Sequence, residues 1–294
     1  MDLRKMRYFI TVVQQKNFSK AAEILHVSQP SLSNAIMKLE DEVGFPLLER
    51  NTRNIRLTES GEMMYMRALE LINNFDHLQQ EMREVKEIGN GQLSLGLIES
   101  ANYWLPKVIH QFKADYPEVH IQFSELLGVE QVQKSLLNYE THAVITNQLV
   151  THDDLLTHPI YHERLVLLFH RDSPLAKLEE ITMKDLQEEP FIISTTGFQT
   201  RQDILQAFEK EQATPRMMYE IERFETACSL VEEGLGITII PENYIKNSTF
   251  PAIRTSYIQS EALTRTVYLA YSKNRYLPPY IHNFLSHTKT YFGV

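Results

Sequence analysis

The sequence predicts a multidomain α+β protein in which a small helical head and a long helix precede a larger α/β body. A chain of 294 residues, 43% of them hydrophobic, is long enough for two or three domains. Charge is unevenly distributed: residues 1–58 carry nine basic and six acidic side chains (+3), whereas the remainder carries 20 basic and 32 acidic ones (−12). The hydrophobic pattern also changes, from helical periods before residue 88 to alternating strand-like and helix-like segments after it.

Short helical patterns fill the first part of the head. The first has apolar residues at helical spacing: Leu3, Met6, Ile10 and Val13. A second helix runs through Ala21, Ala22 and Leu25. We expect Ser19 to be its N-cap, because a serine hydroxyl accepts hydrogen bonds from the free N–H groups of a first turn.

The third helix follows the tight break HVSQ and begins with SQPSLSNAIMKLE, Ser28 to Glu40. Ser28 is the expected N-cap, and Pro30 is tolerated because the first turn does not need its missing N–H. Four apolar residues lie within about 60° of one another and form a buried stripe: Leu32, Ile36, Leu39 and Val43. Pro30 and Asn34 therefore point away from the core.

A small β-wing is expected after Gly44. The stretch PLLERNTRNIRLT has two apolar runs, Leu47–Leu48 and Ile55–Leu57, on either side of a polar turn. Three arginines accompany the turn: Arg50, Arg53 and Arg56.

Residues 59–88 predict a long helix, with Thr58 as its N-cap. Seven apolar residues are separated alternately by four and three positions: Met64, Ala68, Leu71, Phe75, Leu78, Met82 and Val85. This spacing favours a coiled coil between copies of the chain over the alternative, a helix packed only on its own body. GNGQ, Gly89 to Gln92, then ends the helix and is expected to act as a hinge.

Strand-like and helix-like segments alternate from residue 92 onward, beginning with QLSLGLIE and a helix through residues 100–117. This order implies a mainly parallel sheet with right-handed crossovers. The strand RTVYLAYS and a helix near residues 279–291 close the chain.

The sequence argues against several classes of protein. The N-terminus has no signal-peptide pattern, and no apolar run approaches the roughly 18 residues that span a bilayer, so a soluble cytoplasmic protein is expected. A single cysteine, Cys228, excludes an intramolecular disulfide. Phosphate-binding loops, nucleophile elbows and metal-ligand spacings are absent from the sequence, so we predict neither an enzyme nor a cofactor or metal site.

The head instead has the spacing of a helix-turn-helix followed by an arginine-bearing wing, which favours binding to double-stranded DNA. The acidic end of the third helix, residues 40–42, would be repelled by phosphate, so only its N-terminal half can enter a major groove. The predicted DNA contacts are Ser28, Gln29, Pro30, Ser31, Ser33, Asn34, Lys38, Arg50 and Arg53.

Residues 17–61 closely resemble the N-terminal signature of LysR-type transcriptional regulators, in the stretch NFSKAAEILHVSQPSLSNAIMKLEDEVGFPLLERNTRNIRLTESG. The resemblance continues through helix, turn, recognition helix, wing and the start of the linker helix. GLGITIIP, Gly234 to Pro241, is similar to a recurrent C-terminal phrase of the family. Leu48 and Asn34 depart from the pattern, where Phe and Arg or Gln are more frequent.

The resemblance implies three domains: a winged helix-turn-helix (1–58), a linker and dimerisation helix (59–88), and an effector-binding domain (89–294). The last would comprise two α/β subdomains resembling periplasmic solute-binding proteins, subdomain I at about 91–161 and 266–294 and subdomain II at about 162–265. Dimers of dimers on promoter DNA are implied, with RNA polymerase as a further partner and no membrane contact.

A small-molecule effector is implied between the two subdomains, and the family favours carboxylate metabolites. Arg201 and Arg223 could neutralise a carboxylate, although a surface position is the simpler expectation for both. Carried over from the family, the effector-binding positions are Ser100, Ala101, Asn102, Gly128, Asn147, Gln148, Thr195, Thr196 and Phe224.

An alternative is a small-molecule binding protein or enzyme whose head contacts only protein. Its support is that most of the chain is α/β body. The basic wing and the uneven charge favour the regulator, because neither has an evident use without a polyanion.

Overall fold

The structure, a computed structural model, describes residues 1–49, 55–86, 91–246 and 250–294. The chain divides into two compact units, Met1–Arg83 and Glu84–Val294, which we call the head unit and the body. Each unit has its own hydrophobic core.

Helices make up most of the head unit. Three short helices and a two-stranded antiparallel sheet precede the long helix: α1 (Leu3–Gln15), α2 (Phe18–Ile24), α3 (Gln29–Val43), β1 (Leu48–Glu49), β2 (Arg56–Leu57) and α4 (Glu59–Lys86). The stripe predicted for α3 is confirmed, because three of its four apolar residues are fully buried and Val43 is partly buried against the same core.

N-caps decide where the short helices begin. Ser28 caps α3 as expected, since its Oγ accepts a hydrogen bond from Ser31 N at 3.3 Å. The expectation for α2 is wrong: Asn17 is the N-cap, and its Oδ1 accepts from Lys20 N at 3.0 Å, while Ser19 lies inside the helix. Asparagine and serine are about equally good N-caps, so residue preference alone could not locate this boundary.

The start of α4 is tied to the wing by Thr58. Its hydroxyl accepts from Gly61 N at 3.0 Å and donates to Pro46 O at 2.8 Å. A Cβ at Gly61 would lie 2.0 Å from the Leu47 carbonyl oxygen, so only glycine permits this close approach.

In its described residues the body contains nine strands and six α-helices. The strands are β3 (Gln92–Leu97), β4 (His120–Glu125), β5 (Ala143–Thr146), β6 (Leu155–His170), β7 (Pro190–Ser194), β8 (Arg216–Ile221), β9 (Thr238–Pro241), β10 (Ile253–Ser256) and β11 (Thr264–Ser272). The helices are α5 (Leu105–Asp115), α6 (Val129–Leu137), α7 (Gln199–Lys210), α8 (Phe224–Glu232), α9 (Glu242–Ile245) and α10 (Pro279–Phe292).

Seven of these strands form one mixed sheet in the order β10-β6-β11-β5-β3-β4, with β9 also paired to β6. The expectation of a mainly parallel sheet is wrong. Only β3 pairs in parallel here, with β4 and β5, whereas β6 and β11 pair antiparallel with each other and with their other neighbours. The difference arises because β6 and β11 are long strands that cross the body in opposite directions.

The hydrophobic clusters of the body fall into two halves. Ile160 of β6 packs in the core of the first half, together with β3, α5 and α10, whereas Leu165 of the same strand packs in the core of the second, together with β7 and α7. β6 and β11 therefore run through both halves, and a cleft opens between them.

Candidate functional site

The N-terminal half of α3 presents an exposed polar face. Ser28, Gln29, Pro30, Ser31 and Asn34 are exposed, as is Lys38 one turn further on, and Ser33 is half-buried. The opposite face supplies the buried Leu32 and Ile36. Six of the seven predicted contacts thus lie at the N-cap or in the first two turns of α3, near the helix end whose dipole attracts anions, and Lys38 lies further along the helix.

The turn before α3 depends on His26, which adopts a left-handed conformation with φ of 53°. Its N–H donates to Glu23 O at 3.1 Å, and Val27 N donates to Ala22 O at 3.0 Å. These bonds end α2 and fix the direction in which α3 leaves it. No glycine marks this position, so the sequence located the break without indicating its geometry.

The acidic end of α3 is engaged within the head. Glu40 is buried, and its Oε1 accepts from Leu47 N at 2.8 Å and Leu48 N at 3.1 Å. Glu42 contacts Lys5 Nζ at 2.7 Å and the N-terminal amine at 2.6 Å, and hydrogen bonds from these two groups lower the pKa of Glu42 to about 2. Sequence reasoning treated these carboxylates only as repelling phosphate and missed that Glu40 positions the wing.

Arg50 and Arg53, the predicted phosphate contacts of the wing, lie outside the described residues. Arg56, on β2, is exposed and pairs in register with Glu49 of β1.

The apolar seam of α4 divides into two parts. Ala68 is buried together with Ile72 against Met6 and Ile10 of α1. Leu71, Leu78 and Met82, by contrast, are about half exposed, at 45%, 54% and 53%. The first part thus belongs to the core of the head unit, and the second is an apolar stripe that is half exposed among the described residues.

In the body, five strand ends and three helix starts meet at the cleft between the halves. β3, β4, β5, β7 and β8 end there, and α6, α7 and α8 begin there. Ligands of open α/β sheets bind at such carboxyl edges. An inner cavity and an adjoining outer groove occupy this cleft.

Five of the nine predicted effector positions line the inner cavity: Ser100, Gly128, Asn147, Gln148 and Phe224. The structure does not place the other four there. Ala101 is fully buried in the core of the first half, and Asn102 borders a separate groove beside α5. Thr195 is half-buried and donates its N–H to Ile221 O at 2.9 Å, whereas Thr196 is exposed. Ser100, Ala101 and Asn102 lie in a short 3₁₀ helix, in which successive side chains point about 120° apart. Consecutive residue numbers therefore do not imply a common direction.

Sequence reasoning missed further lining residues, notably Glu99, Glu125, Gln199, Thr200 and Arg265. For Glu99 and Gln199 a signal existed, because both stand at a predicted junction between a strand and a helix. Arg265 had none, since it lies on a strand far along the chain and reaches the cleft only through the pairing of β11 with β6.

Two hydrogen-bond contacts bridge the halves across the cleft. Gln148 Nε2 donates to Gln199 Oε1 at 2.8 Å. The backbone N–H of Phe224, at the start of α8, is shared by both carboxylate oxygens of Glu99 at 3.2 and 3.3 Å. These two hydrogen bonds, together with the ion pair between Arg223 and Glu125 at 3.3 Å, connect the halves across the cleft.

A buried charge cluster supports the wall of the cleft. Arg265 donates from Nε and Nη2 to Glu163 Oε2 at 2.9 and 2.7 Å, and from Nη1 to Thr200 Oγ1 at 3.0 Å and Asp203 Oδ2 at 3.2 Å. These bonds join β6, β11 and α7. β6 and β11 connect the halves, and the cluster attaches these two strands to α7, whose first residues line the cavity.

Neither arginine considered for a ligand carboxylate lines the cavity. Arg201 donates to Ser194 O at 2.8 Å and to Glu220 at 3.3 Å, and Arg223 pairs with Glu125 at 3.3 Å. Both guanidinium groups thus already have acceptors within the protein.

Among residues 1–49, 55–86, 91–246 and 250–294, no group of three His, Cys, Asp or Glu side chains is arranged to hold a metal ion. None of the helices in the same ranges combines the length and apolar character that a membrane crossing requires.

Two family profiles match the chain. One, described as "Bacterial regulatory helix-turn-helix protein, lysR family", matches residues 3–62, and the other, "LysR substrate binding domain", matches residues 87–293. The Hca operon transcriptional activator HcaR of Escherichia coli K12 is 33% identical over 250 residues, covering 84% of this chain and 83% of that protein. A probable cat1 operon transcriptional activator of Acinetobacter lwoffii is 32% identical over 249 residues, covering 82% and 80%.

Solved structures share the fold over nearly the whole chain. Full-length CbnR in complex with its target DNA aligns with a TM-score of 0.65 at 22% identity, covering 99% of each chain. Full-length OxyR of Pseudomonas aeruginosa aligns with a TM-score of 0.64 at 24% identity, covering 100% of this chain and 95% of that one. At these identities the likeness concerns the fold alone.

Proposed function

Because this chain belongs to the LysR family of bacterial transcriptional regulators, we propose that α3 reads promoter DNA and that a small molecule bound in the cleft of the body controls it. The observation that carries the DNA assignment is the exposed polar half of α3 above a fully buried apolar face. The proposed base-reading side chains are Gln29, Ser33 and Asn34, with Ser28, Pro30 and Ser31 at the entry of the helix and Lys38 beside a phosphate.

A gel-shift comparison of specific and mutated operators tests the reading helix. Asn34→Ala should lose roughly 5- to 100-fold in specific affinity, since an asparagine paired with adenine contributes about 1–3 kcal/mol of discrimination. Gln14→Ala, an exposed change on α1, is the control and should bind normally. Undiminished specificity of the Asn34, Ser33 and Gln29 variants together would reject this assignment.

The wing arginines, Arg50 and Arg53, are proposed to contact phosphate. Their removal should weaken specific and non-specific binding alike and reduce the slope of log affinity against log salt by roughly one for each contact. An unchanged slope in both variants would exclude phosphate contacts.

The effector is proposed to bind in the inner cavity, against Ser100, Gly128, Asn147, Gln148 and Phe224. A ligand there replaces or strengthens the two bridges across the cleft and so shifts the equilibrium between open and closed halves. The experiment is transcription from the target promoter with and without candidate metabolites. Asn147→Leu should abolish the response but retain DNA binding, and loss of both together would argue against a separate effector site.

Self-association through α4 is proposed from the exposed stripe formed by Leu71, Leu78 and Met82. In this proposal the domain limits remain 1–58, 59–88 and 89–294, the protein acts in the cytoplasm where promoters are found, and it catalyses no reaction. Its relatives are named as transcriptional regulators, which supports the non-enzymatic role.

A further inference from the structure

Glu99 stands out among the charged groups of the cleft. It follows β3, in a short 3₁₀ helix (Glu99–Tyr103), and its carboxylate lines the inner cavity. The contact it makes is with one backbone N–H, that of Phe224, which both of its oxygens share. A carboxylate can accept about four hydrogen bonds, so most of the acceptor capacity of Glu99 is free for a ligand.

The other two charged side chains of the inner cavity are neutralised inside the protein. Glu125 pairs with Arg223 at 3.3 Å, and Arg265 pairs with the buried Glu163 and Asp203. Within the described residues, Glu99 is therefore the charged group of this cavity that has no ion-pair partner. The remaining polar lining is uncharged, for example Ser100, Asn147 and Gln148.

This arrangement is unfavourable for an anionic group placed against Glu99 itself, whereas the helix starts can bind an anion elsewhere in the cleft. A second carboxylate beside Glu99 would be repelled, and Arg265, the cation that lines the cavity among the described residues, is already paired with Glu163 and Asp203. A cationic group in the same place would supply the missing partner, and a hydrogen bond to a charged group contributes about 1.5–3 kcal/mol.

We propose that the effector carries a positively charged amino group that binds the carboxylate of Glu99. This inference rests on the proposed function of the cleft as the effector site and names the chemical class of the ligand: a small amine or amino acid. The family resemblance alone pointed to carboxylate metabolites, so the two expectations can be separated by experiment.

The surroundings of Glu99 also predict how binding depends on pH. The groups that face it are Glu125 of β4, Arg223 before α8, Glu225 and Cys228 of α8, and Tyr244 of α9. Burial, together with weaker repulsion from Glu125 and Glu225, raises the pKa of Glu99 to about 7. The hydrogen bond from Phe224 N–H and the charge of Arg223 lower this pKa and so oppose the rise. An ammonium group requires the ionised carboxylate, so its affinity should rise as the pH increases through about 7. A carboxylate ligand requires the protonated form and should show the opposite trend.

The test is thermal-shift and calorimetric titration of the full-length chain with matched probes. Each amine is paired with an acid of the same carbon skeleton: norvaline and valerate, cadaverine and glutarate, phenethylamine and phenylacetate. We expect at least one amine to bind more tightly than its acid, with affinity rising above pH 7. Glu99→Gln, which retains size and an acceptor for Phe224 N–H, should weaken that amine roughly tenfold or more. Glu130→Gln, at the rim of the outer groove, is the matched control and should change little.

Every outcome decides the inference. If only the acids bind, if no amine binds, or if Glu99→Gln leaves amine affinity unchanged, the amine class is wrong. Acid binding that Asn147→Leu abolishes would overturn the amine inference while the cleft remains the effector site. Binding that is insensitive to both Glu99→Gln and Asn147→Leu would instead place the ligand elsewhere and overturn the proposed function of the cleft as well.

Discussion

Glu40 fixes the start of the wing. Its buried carboxylate accepts the N–H groups of Leu47 and Leu48, where the chain turns from α3 into β1. Removing it would leave two buried donors without this acceptor. We expect Glu40→Ala to lower the free energy of unfolding of the head by about 2–4 kcal/mol, measured by chemical denaturation.

Asp41→Ala is the matched control, because Asp41 is the exposed neighbour on the same turn of α3. It should change stability by no more than about 0.5 kcal/mol. Equal effects of the two substitutions would mean that charge at this helix end matters and the buried hydrogen bonds do not.

Glu99 gives a second prediction at the scale of one residue. The unfolded chain ionises this carboxyl near pH 4.5, whereas the folded chain retains the proton until about pH 7. Between these values the folded state binds more protons, so the free energy of unfolding should fall as the pH rises. Glu99→Gln cannot ionise and should lack this decline. We therefore compare the melting temperature of Glu99→Gln with that of the parent, both without ligand. The difference in favour of the variant should be roughly 2–4 °C larger above pH 7 than below pH 4.5.

Glu222→Gln serves as the control for this pH series, since Glu222 is an exposed residue just before α8 and is not among the charged groups that face Glu99. It should keep the pH profile of the parent. Parallel profiles for the parent and Glu99→Gln would show that Glu99 ionises as an ordinary exposed carboxyl does.

At the scale of the element, α4 has two apolar faces with different uses. Ala68 and Ile72 pack on α1, whereas Leu71 and Leu78 are exposed. A charge on the exposed stripe should disturb association between copies but leave the head folded. We expect Leu71→Glu to sediment predominantly as a monomer and to keep the parent circular dichroism spectrum.

Met66→Glu provides the matched control. Met66 is also exposed, and at about 100° per residue it lies about 140° around α4 from Leu71. It should retain the oligomeric state of the parent. A Leu71→Glu protein that stays oligomeric would place the main contact on another surface.

At the scale of the whole molecule, the head unit and the body have separate cores and should unfold in separate transitions. Arg265→Met removes the guanidinium that neutralises Glu163 and Asp203 and leaves two buried carboxylates without their cation. We expect the transition of the body to lose about 3–5 kcal/mol while that of the head is unchanged, as followed by differential scanning calorimetry.

Arg164→Ala is the corresponding control on β6. Arg164 is mostly exposed, and its contact with Glu242 is long, at 3.9 Å. Such a surface pair contributes about 0–1 kcal/mol, so the variant should melt close to the parent. A simultaneous loss of the head transition in Arg265→Met would mean that the two units unfold cooperatively.

Most local features could be predicted from the sequence. Local preferences placed the apolar stripe of α3, the Ser28 cap and the extent of α4, because these depend on residues within one or two turns. The cap of α2 was misplaced because two residues of nearly equal preference compete there. The cleft was predicted only in part: Ser100, Gly128, Asn147, Gln148 and Phe224 line it, whereas Ala101 and Asn102 point elsewhere.

The sequence by itself therefore determined the helices of the head, their order and the polar face of α3, since hydrophobic periodicity and capping act over short distances along the chain. Only the tertiary structure decided which residues meet across long separations. Glu163 and Arg265 are 102 positions apart, and Glu99 and Phe224 are 125 apart. Their contacts depend on the antiparallel pairing of β6 with β11 and on the docking of two halves, which no local pattern encodes.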